Sequence, residues 1–285
     1  MNPVLKIAVQ KSGRLNEGSL NLLSECGIKV RSGGELMSAA SNFPLEVFYL
    51  RDDDIPQYVA ERVVDIGIVG ENEYLEKAEK VDIINRLGFS RCRFSLAVKR
   101  EEKYSGLEWF EGKKIATSYP VILGNFLKEK GVNAEIEEIS GSVEIAPGIG
   151  LAEGIFDIVS TGSTLLANGL KEVEVVLKSE AVLIANPSLS DEKKRLLDQV
   201  IFRIEATHSA KQHKYILLNI PDEKIDEVMK LLPGMRSPTV MPLADKGWSS
   251  VHSVINEDDF WAIIDQLKEK GAEGILVCPI EKMIV

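Results

Sequence analysis

Apolar runs of strand length alternate with segments of helical period through most of the first two-thirds of the chain. "LKIAVQ" (5–10) is followed by the helix-like "LNEGSLNLLSECG" (15–27), then by "LEVFYL" (45–50), "IPQYVAERV" (55–63) and "VDIGIVG" (64–70). This alternation predicts a largely parallel α/β sheet. Two pairs of segments echo each other: "LKIAVQKSGR" with "KKIATSYP", and "VVDIGIVGENEY" with "IFDIVSTGSTLL". Their spacings differ, so the echo is one of architecture, and it predicts two similar lobes with binding loops at their strand ends and a cleft between them. "SRCRFSLAVKREE" (90–102) reads as a strand crossing from the first lobe to the second. "AVLIANP" (181–187) and the helix "SDEKKRLLDQVIFRIEA" (190–206) read as the return, and two crossings make a hinge. The expected division is 1–95 with 183–206 for the first lobe and 96–182 for the second.

Beyond residue 206 the order becomes strand "YILLNI", helix "DEKIDEVMKLL", strands "PTVMPLAD" and "SSVHSVIN", helix "EDDFWAIIDQLKEKGA" and strand "GILVCPI". This is βαββαβ, the ferredoxin-like order. Residues 207–285 are expected to form a small accessory domain that gains from pairing with a second copy.

Composition narrows the function classes. Of 285 residues, 45% are hydrophobic and 27% charged, as in ordinary globular proteins, and the formal net charge is -10. No window is basic enough for a nucleic-acid or membrane footprint, so an anionic ligand has to be met by local groups. The start "MNPVLKIAVQ" lacks the flank and apolar core of a signal peptide, and no apolar run approaches the roughly 20 residues of a membrane span. A cytoplasmic protein is expected. Cys26, Cys92 and Cys278 have neither metal-ligand nor disulfide-framework spacing and are expected to be reduced. His208, His213 and His252 all fall after the two lobes, which argues against a cleft histidine in catalysis.

The densest chemistry lies in "IFDIVSTGSTL" (155–165), where Ser160, Thr161, Ser163 and Thr164 surround Gly162 between a strand and a helical segment. Backbone N–H groups converging near such a glycine, with hydroxyls as further donors, suit a phosphate. Asp157 just upstream is placed to accept hydrogen bonds from sugar hydroxyls or to sit near a metal. The alternative is a hydroxyl-rich helix cap with an ordinary strand-end acid.

The spacing of Asp157, Thr161, Gly162 and Thr164 resembles the 5-phosphoribosyl-1-pyrophosphate (PRPP) loop of phosphoribosyltransferases. Their common form has two adjacent acids, whereas Phe156 stands at the first position here. This disfavours a nucleobase salvage enzyme and is compatible with the ATP phosphoribosyltransferases, which catalyse the first step of histidine biosynthesis. "QKSGRL", "RDDDIP", "CRFSLA", "KIATSYP", "GSVEIAPGIGLA" and "VCPIEKM" extend the resemblance along the chain to the long, self-regulated form. It implies two lobes similar to periplasmic binding proteins plus a regulatory ferredoxin-like domain of the ACT type. It further implies magnesium as cofactor, ATP and PRPP as substrates, histidine as feedback inhibitor, and a homo-oligomer, dimer or hexamer.

Residue roles follow from the same likeness. Asp157, Thr161 and Glu144 ("GSVE") are expected catalytic groups, and Asp157 with Ser160 through Thr164 is expected to bind PRPP. Lys11, Gly13 and Arg14 in "QKSGR" place two cations beside a glycine at a strand end, which suits a polyphosphate or else a solvated turn. The resemblance assigns them, with Arg51 and Asp53, to the ATP and pyrophosphate side; Gly70 and Glu71 join them because they stand at the strand end that corresponds to the phosphate loop in the other lobe, and Tyr119 suits either stacking on the base or packing. Acids ahead of Pro56 are also favourable for a helix start whatever else they do. Arg91 and Arg93 share a strand face, which means either solvent exposure or a common anionic partner. Asn219, Ser237, Thr239 and Gly274 are the expected histidine positions. A two-lobed binding or sensing protein without catalysis is the rival from another class; the absent signal peptide and the hydroxyl–glycine loop weigh against it.

Overall fold

Strand β1 (Leu5–Gln10) is buried along nearly its whole length, because it runs in the middle of a six-stranded sheet covered on both faces. The structure is a computed structural model and describes residues 3–31, 36–232, 234 and 236–284. From β1 the chain passes through α1 (Arg14–Glu25), β2 (Met37–Ala39), β3 (Leu45–Leu50), α2 (Ile55–Ala60), β4 (Ile66–Gly70), α3 (Glu71–Lys77) and β5 (Asp82–Arg86). It then crosses into a second sheet: β6 (Cys92–Lys99), β7 (Lys114–Thr117), α4 (Pro120–Lys130), β8 (Glu135–Glu138), β9 (Gly154–Val159), α5 (Ser163–Ala167) and β10 (Leu170–Ser179). Strand β11 (Ala181–Ala185) returns to the first sheet and leads into α6 (Asp191–Lys211).

The first sheet has the order β2-β3-β1-β4-β11-β5, with β1 parallel to β3 and β4 and the returning β11 antiparallel to β4 and β5. The second runs β10-β6-β9-β7-β8, in which β6 is antiparallel to both β10 and β9. The two-lobed α/β class expected from the sequence is what forms, and the chain crosses between the lobes twice. Strand β6 joins the second sheet along its full length and β11 the first, so the crossings fall between Arg86 and Cys92 and between Ser179 and Ala181. Both lobes form one compact unit with residues 1–24 and 28–197. The second unit takes 198–285 with 25–27, so its border lies inside α6.

The second sheet carries a core on each face. Phe94, Leu96, Phe110, Leu123 and Phe156 pack on the α4 side, and Ala97, Val143, Ile155, Val159 and Leu165 on the other. Strands covered on both sides read as continuous apolar runs, as does "AVLIA" of β11, whereas β9 is fully covered only up to Phe156 and leaves Ile158 exposed.

In the second unit, β12 (His213–Pro221), α7 (Ile225–Leu231), β13 (Thr239–Pro242), β14 (Trp248–Asn256), α8 (Glu257–Glu269) and β15 (Glu273–Pro279) form an antiparallel sheet of order β13-β14-β12-β15. With the first and third strands central, this is the ferredoxin-like arrangement that βαββαβ predicts. Ile216, Leu218, Ile220 and Val251 pack against Val228 of α7 and Leu267 of α8.

The burial of Phe156 explains the departure from the two-acid pattern. Its ring is fully buried, 5.9 Å from that of Phe94, so an acid there would enter an apolar core without a partner. Phe156→Asp is expected to cost more than about 4 kcal/mol and Phe156→Leu about 1–2 kcal/mol. Urea unfolding followed by tryptophan fluorescence checks this, and equal effects of the two substitutions would show that the site tolerates charge.

Candidate active site

The hydroxyl-rich loop begins where β9 leaves the sheet. Gly162 has φ of 80°, a left-handed conformation that side chains rarely adopt, and this turns the chain directly into α5. Ser160, Thr161, Ser163 and Thr164 are exposed around it, and the Thr161 and Ser163 hydroxyls lie 3.0 Å apart. A pocket of about 120 Å³ is lined by Glu144 together with Asp157 and the loop residues. The Asp157 carboxylate accepts the Ile158 N–H at 2.7 Å. Burial raises its pKa, an effect opposed by that hydrogen bond and reinforced by Glu144. Glu144 sits in a short 3-10 turn that follows Ser142, whose φ is 50°. Among the described residues no three carboxylates, histidines or cysteines converge as a metal site. Asp157 and Glu144 nevertheless present two hard oxygen donors to one pocket, a set that suits magnesium, which is usually held by one or two carboxylates plus substrate phosphates.

In the first lobe, Lys11 and Arg14 are exposed on either side of Gly13, whose φ is 91°. Lys11 is tied to β3 through its N–H to the Leu50 carbonyl at 2.7 Å. Arg51 and Asp53 form an exposed ion pair with each other at 3.2 Å, and Asp52 accepts from Gln10 at the end of β1. Gly70 is the N-cap of α3, and Asn72 lies so close that a Cβ on Gly70 would meet its amide. Glu71 is buried in a bidentate ion pair with Arg86, one arm of which is 2.6 Å, so the structure gives this acid a protein partner.

Tyr119 caps the start of α4 and packs edge-on against Phe94 at 4.8 Å. Its phenol is pushed well above the usual range, first by burial and then by Glu73, Asp157 and Asp52. Of the arginine pair, Arg93 makes a bidentate bond to Glu172 at 2.6 and 2.7 Å and donates to the Ser160 carbonyl, while Arg91 faces Glu180 at 3.7 Å. The three cysteines are free thiols, and the three histidines lie in the second unit. There Asn219 adjoins Gly274, Thr239 stands on β13 on the far side of β14, and Ser237 is exposed two positions ahead of Thr239.

Two acids of α3 were missed by sequence reasoning because nothing in "GENEYLEK" marks which faces meet the other lobe. Glu76 accepts the N–H groups of both Val121 and Ile122 at 2.9 Å and so caps α4 from across the lobes. Buried Glu73 has its pKa raised from 4.5 to about 7 by desolvation, with Asp52 adding to the effect.

An α/β chain with two lobes, whose strand-end loops carry hydroxyls, a glycine turn and cations, defines a cleft protein for phosphorylated small molecules. Residues 51–206 match the family described as ATP phosphoribosyltransferase, and residues 210–282 match the one described as HisG, C-terminal domain. The chain is 61% identical over 283 residues to the ATP phosphoribosyltransferase of Bacteroides thetaiotaomicron, with 99% of this chain and 100% of the relative covered. It is 60% identical over 285 residues to that of Cytophaga hutchinsonii, with both chains covered in full. A chain of the ATP phosphoribosyl transferase complex from Thermotoga maritima superposes with a TM-score of 0.61 at 27% identity, covering 71% of this chain and 96% of that one. The chain belongs to the ATP phosphoribosyltransferase family, as its motifs led one to expect.

Two predictions arise from α3. Glu73 binds its proton more tightly folded than unfolded, so its contribution is present below pH 4.5 and lost as the pH rises to about 7. Glu73→Gln should therefore gain up to about 3 kcal/mol relative to the parent between pH 5 and pH 8. Urea titrations at the two pH values measure this, and a pH-independent difference contradicts the assignment. Glu76→Ala should speed amide exchange at Val121 and Ile122 about tenfold, in line with the roughly 1–2 kcal/mol of a lost cap. Unchanged exchange there would mean that the cap is not holding α4.

Proposed function

We propose that this chain transfers the 5-phosphoribosyl group of PRPP to N1 of ATP and releases pyrophosphate, the first step of L-histidine biosynthesis. The observation that carries this is the hydroxyl–glycine loop at the end of β9 with Asp157 and Glu144 on one small pocket, in a chain of this family. The N1 lone pair of adenine attacks C1 of the ribose as the C1–oxygen bond to pyrophosphate breaks, so no protein nucleophile is needed. The protein supplies alignment, charge neutralisation and exclusion of water.

The 5-phosphate is received by the loop Ser160–Thr164, with Thr161 as donor, and Asp157 accepts from the ribose hydroxyls. Lys11 and Arg14 flank Gly13 as a clamp for phosphates, and Arg51, Asp53, Gly70, Glu71 and Tyr119 complete the nucleotide side. Glu71 serves there through the Arg86 guanidinium that it holds. Magnesium carried by the phosphates would find Asp157 and Glu144 as oxygen donors and would neutralise the leaving pyrophosphate. Residues 207–285 act as the regulatory part, where histidine binds at Asn219, Ser237, Thr239 and Gly274 and inhibits from a distance in a dimeric or hexameric assembly. Within one copy Thr239 on β13 and Asn219 on β12 are separated by β14. No helix among the described residues is long and apolar enough to cross a membrane, in keeping with a cytoplasmic place of work.

The test is to mix the purified protein with ATP, PRPP and magnesium and follow the ultraviolet absorbance of phosphoribosyl-ATP, with and without histidine. Product that falls with histidine supports both the transferase and its regulation. Absence of product under all conditions returns the chain to the class of binding proteins. Thr161→Val and Asp157→Asn should each lower kcat/KM by about 10²-fold or more, and near-parental rates would mean that the loop does not hold PRPP.

A further inference from the structure

Helix α4 begins without a cap of its own. Tyr119 stands at its N-cap and makes no capping bond with its side chain. Neither hydroxyl just ahead of it serves. Ser118 donates to the Ile139 carbonyl at 2.6 Å and accepts the Gly141 N–H at 3.3 Å, while Thr117 accepts the N–H of Tyr119 itself at 2.9 Å. Pro120 has no N–H, and that of Leu123 reaches the Tyr119 carbonyl at 3.1 Å. The N–H groups of Val121 and Ile122 are what the first turn leaves over, and Glu76 takes both, one on each carboxylate oxygen, at 2.9 Å.

Glu76 is poorly placed for its own helix. It lies in the last turn of α3, where the negative end of the helix dipole disfavours an acid and favours a cation such as its neighbour Lys77. An acid here is rewarded only by the positive end of α4, which belongs to the other lobe. The opposite end of α3 is tied to the second lobe as well, since Asn72 and Ser179 exchange hydrogen bonds at 3.2 and 3.0 Å and the Glu71 N–H reaches the Glu180 carbonyl at 2.9 Å. Helix α3 is therefore a strut, fastened at one end to the crossing at Ser179 and at the other to the start of α4. These two attachments fix how far the start of α4 stands from the first lobe, and Tyr119 is the residue at that start.

We propose that Glu76 is a positioning residue for the nucleotide: by capping α4 from the first lobe it sets the separation of Tyr119 on the second lobe from Lys11 and Arg14 on the first, and so the affinity for a ligand that touches both. This rests on the transferase reading above, which puts ATP between these groups. Ribose 5-phosphate is a different case, because Asp157 and Ser160 through Thr164, which receive it in the same reading, all belong to the second lobe. Without the cap the lobes are free to part at α4, the binding-competent register is populated less, and the apparent affinity of a bridging ligand falls by that fraction. The loss of one N-terminal cap corresponds to a factor of about five to ten.

Calorimetric titration of the full chain with ATP, and separately with ribose 5-phosphate, tests the proposal without turnover. Glu76→Ala should weaken ATP about five- to tenfold and leave ribose 5-phosphate within about twofold. Glu76→Gln keeps one acceptor oxygen at full reach and should fall between the parent and Glu76→Ala. Glu79→Ala, which removes the next acid along the chain, should bind both as the parent does. In turnover, the KM for ATP should rise by the same factor with kcat within about twofold, whereas a cap that only stabilised the fold would lower the amount of active protein, and with it kcat, at unchanged KM. Equal weakening of the two ligands, no weakening of either, or a fall in kcat at constant KM overturns the proposal. Should Glu76→Ala fail to fold, the Glu76→Gln titrations decide by the same criteria. Selective weakening of ATP in a chain that forms no phosphoribosyl-ATP keeps Glu76 as a positioning residue and removes the transferase reading, while a parent chain that binds no ATP removes both.

Discussion

Strand β6 is the constraint from which the site hangs. It is the strand that enters the second lobe, and it pairs antiparallel on both sides, with β10 and β9. Successive side chains of a strand point to opposite faces, so three consecutive residues of β6 serve different parts of the site. Arg93 holds the Ser160 carbonyl and Glu172, Phe94 supports the Tyr119 ring, and Ser95 adds a hydrogen bond to Glu172 while standing opposite Asp157. Arg93, and to a lesser degree Ser95, hold Glu172 below the usual carboxylate range, and with it they tie β10 to β6 beside the irregularity between Glu172 and Glu174. A slip of β6 by one residue would exchange its faces and detach the phosphate loop, the aromatic wall and the outer strand together.

The contact between the lobes has a different character from their cores. Helix α3 makes it with polar groups: Asn72 exchanges hydrogen bonds with Ser179, and Glu76 caps α4. Glu71, whose N–H reaches the Glu180 carbonyl, anchors Arg86 nearby. Polar contacts of this kind between parts of a chain are typical where relative motion is needed, since each hydrogen bond can be exchanged for one to water at small net cost. Glu73 is the exception within this helix. A buried acid whose pKa desolvation raises to about 7, with Asp52 adding to the effect and Lys77 opposing it, makes this helix sensitive to pH in a way that the neutral hydrogen bonds are not.

The architecture was legible because its signals are local. Runs such as "VDIGIVG" and "AVLIA" announce doubly covered strands, and the change to βαββαβ announces the second unit. The glycine turn with its hydroxyls was legible for the same reason, since Gly162 and the residues around it are neighbours in sequence. What could not be read were groups whose meaning depends on a distant partner. Glu71 was assigned to substrate, but its closest cation, Arg86, lies fifteen positions along on β5. Glu76 reads as an ordinary surface acid until α4 is brought to it, 45 residues away. Arg91 and Arg93, alike on paper, are separated by their partners: one is held firmly by Glu172, the other loosely by Glu180. Phe156 looked like a gap in a motif and is the floor of a core.

The loop at Gly162 and the cavity at Arg91 and Lys178 differ in the donors they offer. The loop at Gly162 offers hydroxyls and backbone amides, which are neutral donors fixed by the fold. Such donors hold a phosphate of constant charge with little dependence on the surrounding field. The cavity at Arg91 and Lys178 offers full charges whose pull grows with the charge of what they face. A transferring group that keeps its phosphate from substrate to product suits the first kind of site. A group on which negative charge builds as a bond breaks suits the second, because interactions that strengthen toward the transition state are the ones that raise the rate. With -10 spread over the chain, cations concentrated at one cavity also focus the local field where the exterior would otherwise repel. Arg93, bonded to the Ser160 carbonyl on one side and lining the cavity on the other, joins the two.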